Sequence, residues 1–397
     1  MDHPNPASTR NRPSVFWSYA FRPFFLAAAL WSAFSVLLWI GLYLGGASLP
    51  SLFDPMSWHI HSMLFGFVYA AIAGFMLTAI PNWTGRPTIS GPLLAFLALL
   101  WLLGRIASLV SAALPFAAAV AVELAFPLLL AGLAAREILA ARNWRNAMMP
   151  VPILLLGVAD LLTLAEAHGA HQLGGMGWRL AIAATIALIS LIGGRIIPAF
   201  TRNWLIRRRG AERLPAANGS VDKAALATLQ PGLLLWALLP ETAAVGMLLL
   251  LAGLLNLWRL ARWRGLDTMA EPMLLILHIA YLWVGIGALL LGASMLSAAV
   301  PLPAAVHALT AGAIGTMILA VMARVSLGHT GRAIVADRIT STSFLAILLA
   351  VLFRVVAAFS PALASPLLQA SALLWTAAFL LFAFRYGPML LRPRADA

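Results

Sequence analysis

The sequence predicts an all-α fold, a polytopic membrane helical bundle of about twelve transmembrane helices with an internal repeat. Hydrophobic residues make up 62% of the chain and charged residues only 10%. The mean hydropathy is +0.93. Apolar segments of about 20 residues, the length that spans a bilayer as a helix, recur from one end of the chain to the other. A soluble globule of 397 residues would need far more polar surface than this composition supplies.

The predicted helices follow one another with short connections, which is typical of a multi-pass bundle. They occupy residues 23–44, 59–80, 92–111, 115–139, 147–165, 177–197, 224–240, 242–260, 272–298, 303–324, 341–359 and 366–386. A polar connection at 198–223 separates the first six helices from the last six. We therefore expect a cytoplasmic N-terminal tail (1–22), a first six-helix half (23–197), a cytoplasmic linker (198–223), a second six-helix half (224–388) and a cytoplasmic C-terminal tail (389–397).

The second and tenth predicted helices resemble each other. A shift of 246 residues lays His61 on His307 and Gly66 on Gly312, and it also aligns the Thr-Gly-Arg triplets at 84–86 and 330–332 without a gap. The 22 residues between histidine and threonine in each copy correspond to about 33 Å of helix, close to one hydrocarbon thickness. This pattern favours an internal repeat of helices that point the same way.

The basic residues alternate between connections as the positive-inside rule expects. Arginines lie in the even connections and are almost absent from the odd ones, which places both termini in the cytoplasm. The net charge of +13 therefore has a membrane explanation, and we expect no nucleic-acid partner. The N-terminal sequence lacks an apolar core followed by a small-residue cleavage site, so we expect no removable signal peptide.

The chain contains no cysteine, which excludes disulfides, thiolate metal ligands, iron–sulfur clusters and a cysteine nucleophile. Any metal must then be held by histidine, methionine, carboxylates or a cofactor. Imidazole suits copper and haem iron, and the absence of thiolates argues against structural zinc. Histidines inside membrane helices are consequently the first candidates for ligands.

Three histidines are predicted to share the outer membrane level: His59, His61 and His307. We predict a copper or dinuclear metal site there. Residues two apart on a regular helix point about 200° from each other, so two alternatives remain open for the first pair. They serve two centres, or His59 lies in the turn before the helix and swings round. Interfacial capping beside Trp58 is the plain structural alternative for either of them.

Two further histidines lie toward the cytoplasmic side. His278 falls about 9 Å into the ninth helix and His329 ends the tenth. We predict that these two residues, with Arg195, bind a haem near that side. His307 and His329 are separated by one bilayer thickness and cannot bind one ion. The remaining histidines, His3, His168 and His171, are expected to be ordinary surface residues.

Several ionisable residues are predicted to be buried in the bilayer, where charge is costly and commonly functional. They are Arg105, Glu123, Asp160, Arg195 and Arg354. Membrane arginines pair with carboxylates or bind acidic groups such as haem propionates. Arg195 lies one turn before Pro198 in a segment that echoes the end of the second helix, so helices two, six and ten are related at four-helix spacing. An interfacial anchor is the alternative role for Arg195.

Five segments together resemble one family of bacterial membrane proteins, the NnrS family. They are FRPFFLAAALW (21–31), WHIHSMLFGFVYAAIAGF (58–75), TAIPNWTGRP (78–87), GGRIIPAFTRNW (193–204) and HALTAGAIGTMILAVMARVSLGHTGR (307–332). The resemblance implies a twelve-helix protein of the bacterial inner membrane that contains haem and copper and protects against nitrosative stress.

The histidine motifs of that family fall on His59, His61, His307 and His329. One departure is Ser62, where the family usually has glutamate, which puts carboxylate-assisted ligation or proton transfer at that position in doubt. The resemblance extends to haem–copper oxidases, which also have twelve helices and histidines in the second and tenth, but this is an analogy at the level of fold.

We accordingly predict a haem- and copper-binding membrane protein that handles nitric oxide. Whether it is an oxidoreductase that reduces nitric oxide, with an electron donor as partner, or relieves damage to cellular metal is left open. The alternatives are a membrane transporter, whose histidines and arginines line a path for an anion or metal, and a sensor that binds nitric oxide without turnover. The expected partners are membrane lipid and nitric oxide.

Overall fold

The computed structural model describes residues 14–209 and 214–396, and within them the chain forms twelve long helices and no strand. The helices are α1 (Phe21–Gly45), α2 (Pro55–Thr84), α3 (Gly91–Leu109), α4 (Phe116–Ala140), α5 (Pro150–Ala167), α6 (Met176–Arg209), α7 (Ser220–Leu238), α8 (Ala243–Ala261), α9 (Pro272–Ser294), α10 (Leu302–His329), α11 (Arg338–Phe359) and α12 (Ala364–Leu391). Eleven of these, all except α7, are long and apolar enough to cross a membrane. The predicted all-α membrane bundle is confirmed.

The largest difference from the predicted boundaries is at the end of α6. This helix continues through Pro198 to Arg209, and α7 begins at Ser220, so much of the predicted 198–223 linker is helical. Membrane helices tolerate proline because neighbouring groups satisfy the backbone carbonyl that the proline leaves free. Residues 210–213, and the predicted N-terminal tail up to residue 13 with His3, lie outside the described residues.

Helices α2, α6 and α10 pack against one another at the centre of the bundle. Around them, α1 contacts α2 and α10, α5 contacts α6 and α2, and α9 contacts α10 and α6. The packing pattern therefore recurs every four helices, as the sequence echo between helices two, six and ten indicates. Helix α12 packs on α1, so helices of the two predicted halves meet both at the centre and at the periphery.

The two repeated helices share an unusual local structure. In α2 a π-helical stretch covers Ser62–Phe67, and in α10 another covers Ala308–Gly315. The shift of 246 residues that aligns the sequences lays the start of one stretch on the start of the other. Each stretch directly follows a histidine, His61 or His307. Because π-helical turns are rare and occur frequently at functional sites, their shared position draws attention to these two histidines.

Two tryptophans satisfy backbone carbonyls at the α2 stretch. The Trp31 indole N–H donates to the Ser62 carbonyl at 3.0 Å, and the Trp101 indole N–H donates to the Gly66 carbonyl at 2.9 Å. Gly66 lets the Trp31 ring approach closely, since a Cβ at Gly66 would lie 2.2 Å from the Trp31 Nε1 atom. The glycine and the two indoles thus hold α1, α2 and α3 together beside His61.

Gly66→Ala is expected to destabilise the protein by about 1–3 kcal/mol, because the added methyl group forces Trp31 from its hydrogen bond. The matched control is Gly132→Ala in α4, where no atom lies within 4 Å of the position that the new methyl group would take. Thermal unfolding of both variants in detergent measures the effect. Equal midpoints for the two variants would refute the packing role of Gly66.

Candidate functional site

A large cavity opens between α1, α2, α6, α10, α11 and α12, on the membrane side where α2 begins, which we call the outer side. Its volume is about 340 Å³, and we call it the outer cavity. The residues that line it are mainly apolar and aromatic. Its polar or sulfur-containing members include Met56, His59, Met63, His307, Thr310, Arg354 and Ser371. Ligand pockets typically have this size and this mixture of apolar walls with a few polar groups.

Two of the predicted ligands face this cavity together. His59 comes from the first turns of α2, and its ring stacks on Trp39 with centroids 4.3 Å apart. Its Nδ1 atom is buried without a hydrogen-bond partner. His307 comes from the first turns of α10, and its Nδ1–H donates to the Pro303 carbonyl at 2.9 Å. That bond leaves Nε2 of His307 as the nitrogen available to a ligand.

Arg354 of α11 is the cationic group of the outer cavity. The side chain is half-buried, and its Nε atom is buried without a partner. It lines the same cavity as His59 and His307. A guanidinium with unused donors beside two imidazoles suits an acidic group on a bound molecule. The outer cavity therefore combines metal-binding nitrogens with an anion-binding group.

His61 lies apart from this cavity, so the structure divides the three predicted outer ligands between two places. His61 is fully buried, and its Nε2 atom lies 3.1 Å from Asp160 Oδ1 and 4.0 Å from Glu123 Oε1. Residues two apart on a helix point about 200° from each other, which sends His61 toward α4 and α5 while His59 faces α10. His59 and His61 therefore face different sides of α2, as the first of the two alternatives for the pair expects.

The relation of the chain to known protein families agrees with this architecture. The NnrS family model, described as NnrS protein, matches residues 15–394. The chain belongs to the NnrS family. It is a multi-pass membrane protein by its helices, and the match covers every segment that carried the sequence resemblance. A search of curated proteins found no match.

In this NnrS protein the predicted inner ligands have different surroundings. His278 is buried in α9, where its Nε2 atom lies 2.9 Å from the Thr201 hydroxyl. His329, at the end of α10, lies against the Phe21 ring and lines a different cavity of about 700 Å³. Three arginines, Arg86, Arg324 and Arg394, also line that cavity. His329 thus has a cationic surrounding that the sequence did not indicate.

The side chain of Arg195 is exposed on the surface of α6, so it does not pack inside the bundle. The position next to it, Gly194, packs against the guanidinium of Arg259 from α8, and that arginine is the buried one at this level. Successive residues on a helix point about 100° apart, so Arg195 and Gly194 lie on different faces of α6. An interfacial position, the alternative role considered for Arg195, agrees with its exposure.

The sequence did not indicate a buried polar network that lies between α6, α7, α8 and α9. Arg259 donates from Nε to Asp222 Oδ1 at 2.9 Å and from Nη1 to the Tyr281 hydroxyl at 2.7 Å. That hydroxyl in turn donates to Asn256 at 2.8 Å. Asp222 falls within the predicted linker, where a carboxylate is expected to face water. The sequence signal that could have indicated this network is the pair Asn256 and Arg259, two polar residues one turn apart in an otherwise apolar helix.

Proposed function

We propose that this NnrS protein binds haem and copper in the bacterial inner membrane, with both termini in the cytoplasm, and handles nitric oxide. The observation that carries the proposal is the outer cavity, in which His59 of α2 and His307 of α10 face one largely apolar space. The alternation of arginines between connections supports the orientation.

The residues of the outer cavity fit a haem. Ligating histidines commonly donate their second ring N–H to a carbonyl or carboxylate, and the bond from His307 Nδ1 to Pro303 has this form. His59 supplies a second imidazole with an unpartnered buried nitrogen. Arg354 offers its unpartnered Nε–H for a propionate. We therefore assign His59 and His307 as the residues that would hold the haem and Arg354 as its anchor.

The same cavity also offers donors for copper. Met56 and Met63 bring thioether sulfurs to its wall, beside the imidazoles. Because both imidazoles are assigned to the haem, copper would depend on these thioethers, which favour Cu(I) among the first-row metals. When bound, such redox-active groups supply the one-electron chemistry that nitric oxide reduction requires. The protein's part is to hold them in a dry, apolar surrounding.

A second, smaller cavity supports a small apolar substrate. It has a volume of about 90 Å³ and lies between α2, α6 and α10, with walls that are almost wholly apolar. Val68 lines both this cavity and the outer cavity. Cavities of this character stay dry and take up small apolar molecules. Nitric oxide is a small, weakly polar molecule that suits such a space.

The purified protein is expected to consume nitric oxide when a chemical reductant is present and to stop when the reductant is withheld. Reductive coupling joins two molecules of nitric oxide, with two electrons and two protons, into nitrous oxide and water. A nitric oxide electrode measures the nitric oxide that is consumed, and gas analysis measures the nitrous oxide that is formed. Binding of nitric oxide to a pigmented protein without consumption would identify a sensor and contradict reduction.

A further inference from the structure

The side chains around His61 form a buried cluster that the proposed haem and copper cavity leaves unused. We call His61, Glu123 and Asp160 the carboxylate triad; its members come from α2, α4 and α5. One ligand atom from each residue lies within 4.8 Å of the other two. His61 and Asp160 are fully buried and Glu123 is 2% exposed, so the three side chains meet in the interior of the protein and not at a solvated surface.

The distances within the carboxylate triad are close to those of a metal coordination shell. Two ligands about 2.1 Å from the same metal, at right angles to each other, are about 3 Å apart. The Nε2 atom of His61 is 3.1 Å from Asp160 Oδ1 and 4.0 Å from Glu123 Oε1. A cation between the three atoms therefore requires only a small movement of the Glu123 carboxylate.

Glu123 is held by a neighbouring arginine in the orientation that a ligand needs. Arg105 of α3, itself 2% exposed, donates from Nη2 to Glu123 Oε2 at 2.6 Å. The other carboxylate oxygen, Oε1, stays free and faces His61. Gly104 leaves room for this carboxylate, since a Cβ there would lie 2.8 Å from Oε2. Ligating carboxylates are commonly oriented by such outer hydrogen bonds, and Arg105 is a positioning residue in this sense.

The carboxylate triad also contains buried polar atoms that lack partners. They are Nδ1 of His61, Oε1 of Glu123 and Oδ2 of Asp160, and the hydroxyl of Tyr69 beside them is unpartnered as well. Among the three proposed ligand atoms, Oε1 is the unpartnered one, whereas Nε2 of His61 and Oδ1 of Asp160 are hydrogen-bonded to each other, a contact that a bound cation would replace. Buried polar groups are nearly always hydrogen-bonded, so several unpartnered atoms in one place point to a missing ligand. Arg105 pairs with one of the two carboxyl groups, and a bound cation would favour the ionised form of both.

We propose that His61, Glu123 and Asp160 bind a divalent first-row cation of the Mn²⁺ or Fe²⁺ class, at a centre distinct from the outer cavity. One imidazole and two carboxylates form a mixed nitrogen and oxygen donor set without sulfur, which suits these harder cations better than Cu(I). The site stands independently of the proposed haem and copper binding, because it shares no ligand with His59 or His307.

Mn²⁺ is the probe for this site, since its preference for carboxylate oxygen keeps it away from the methionine-containing outer cavity. The metal-depleted, folded protein is incubated with Mn²⁺ alone, separated from free ion, and analysed for metal per chain. We expect wild-type protein to retain one Mn²⁺ ion per chain. Glu123→Gln and Asp160→Asn, which keep the side-chain shapes, are each expected to lose it.

Glu137→Gln is the matched control. Glu137 is a buried glutamate on the same helix, α4, and it too accepts a hydrogen bond from an arginine, Arg86, but it lies outside the carboxylate triad. This variant is expected to retain the ion. His307→Ala should also retain it, which separates failure of this site from failure of the haem site.

Wild-type protein that retains no Mn²⁺, or Glu123→Gln protein that retains as much as wild type, would overturn the site. If both triad variants fail to fold, X-ray absorption of Mn²⁺ bound to wild-type protein decides the question. A shell of oxygen donors with one imidazole nitrogen supports the site. A shell with sulfur, or with two imidazoles, contradicts it.

Discussion

His307→Ala protein is expected to lose the haem proposed for the outer cavity while keeping its fold. His307 supplies one of the two imidazoles that face the outer cavity, and its Nδ1–H is already oriented by the Pro303 carbonyl. Loss of a group that merely orients a ligand costs about 10- to 100-fold in metal affinity. Loss of the ligand itself is expected to cost more, so that the Soret absorbance per chain falls to a small fraction of the wild-type value.

The fold is expected to survive this change because His307 is only half-buried and lies near the start of α10. Gel filtration in detergent checks that the variant remains monodisperse. The control is His171→Ala, which removes an exposed histidine from the connection between α5 and α6 and should leave the spectrum unchanged. Wild-type haem content in folded His307→Ala protein would show that His307 is not a ligand.

Asp222→Ala is expected to cause the largest loss of stability, about 3–5 kcal/mol, because it leaves the charge of Arg259 buried without its carboxylate. Arg259 is 3% exposed and donates to Asp222 at 2.9 Å. The second oxygen of Asp222 accepts from the Gly219 N–H at the start of α7, and this contact is lost as well.

Thermal or denaturant unfolding in detergent measures the free energy difference. The control is Lys223→Ala, which removes an exposed charge from the neighbouring position in the same turn of α7. It is expected to unfold close to wild type. If Asp222→Ala and Lys223→Ala protein were equally stable, the network around Arg259 would not be a stabilising element.

The sequence predicts the twelve helices well because a membrane helix can be recognised from the length and hydropathy of its segment. The end of α6 was missed since Pro198 looks like a stop signal, whereas the packed bundle lets the helix continue to Arg209. Helix geometry offered the separation of His59 from His61 as one of two alternatives. Hydropathy does not indicate which face of a helix its neighbours cover, so the exposed position of Arg195 on α6 could not be predicted from it.

Contacts between helices could not be predicted from the sequence. Arg105, Glu123 and Asp160 were each recognised as buried charges, but their convergence on His61 depends on how α3, α4 and α5 pack around α2. The pairing of His59 with His307 likewise follows from the central position of α2 and α10. A single sequence contains no record of these distances, so only the structure joins the residues into sites.

The central claim is that this NnrS protein binds haem and copper at the outer cavity, and an oxidised-minus-reduced absorption spectrum with metal analysis tests it most directly. Protein purified from cells supplied with haem precursors and copper is expected to show a Soret band that shifts on reduction, together with bound copper. Monodisperse protein that is colourless and free of copper would contradict the claim and favour a transporter.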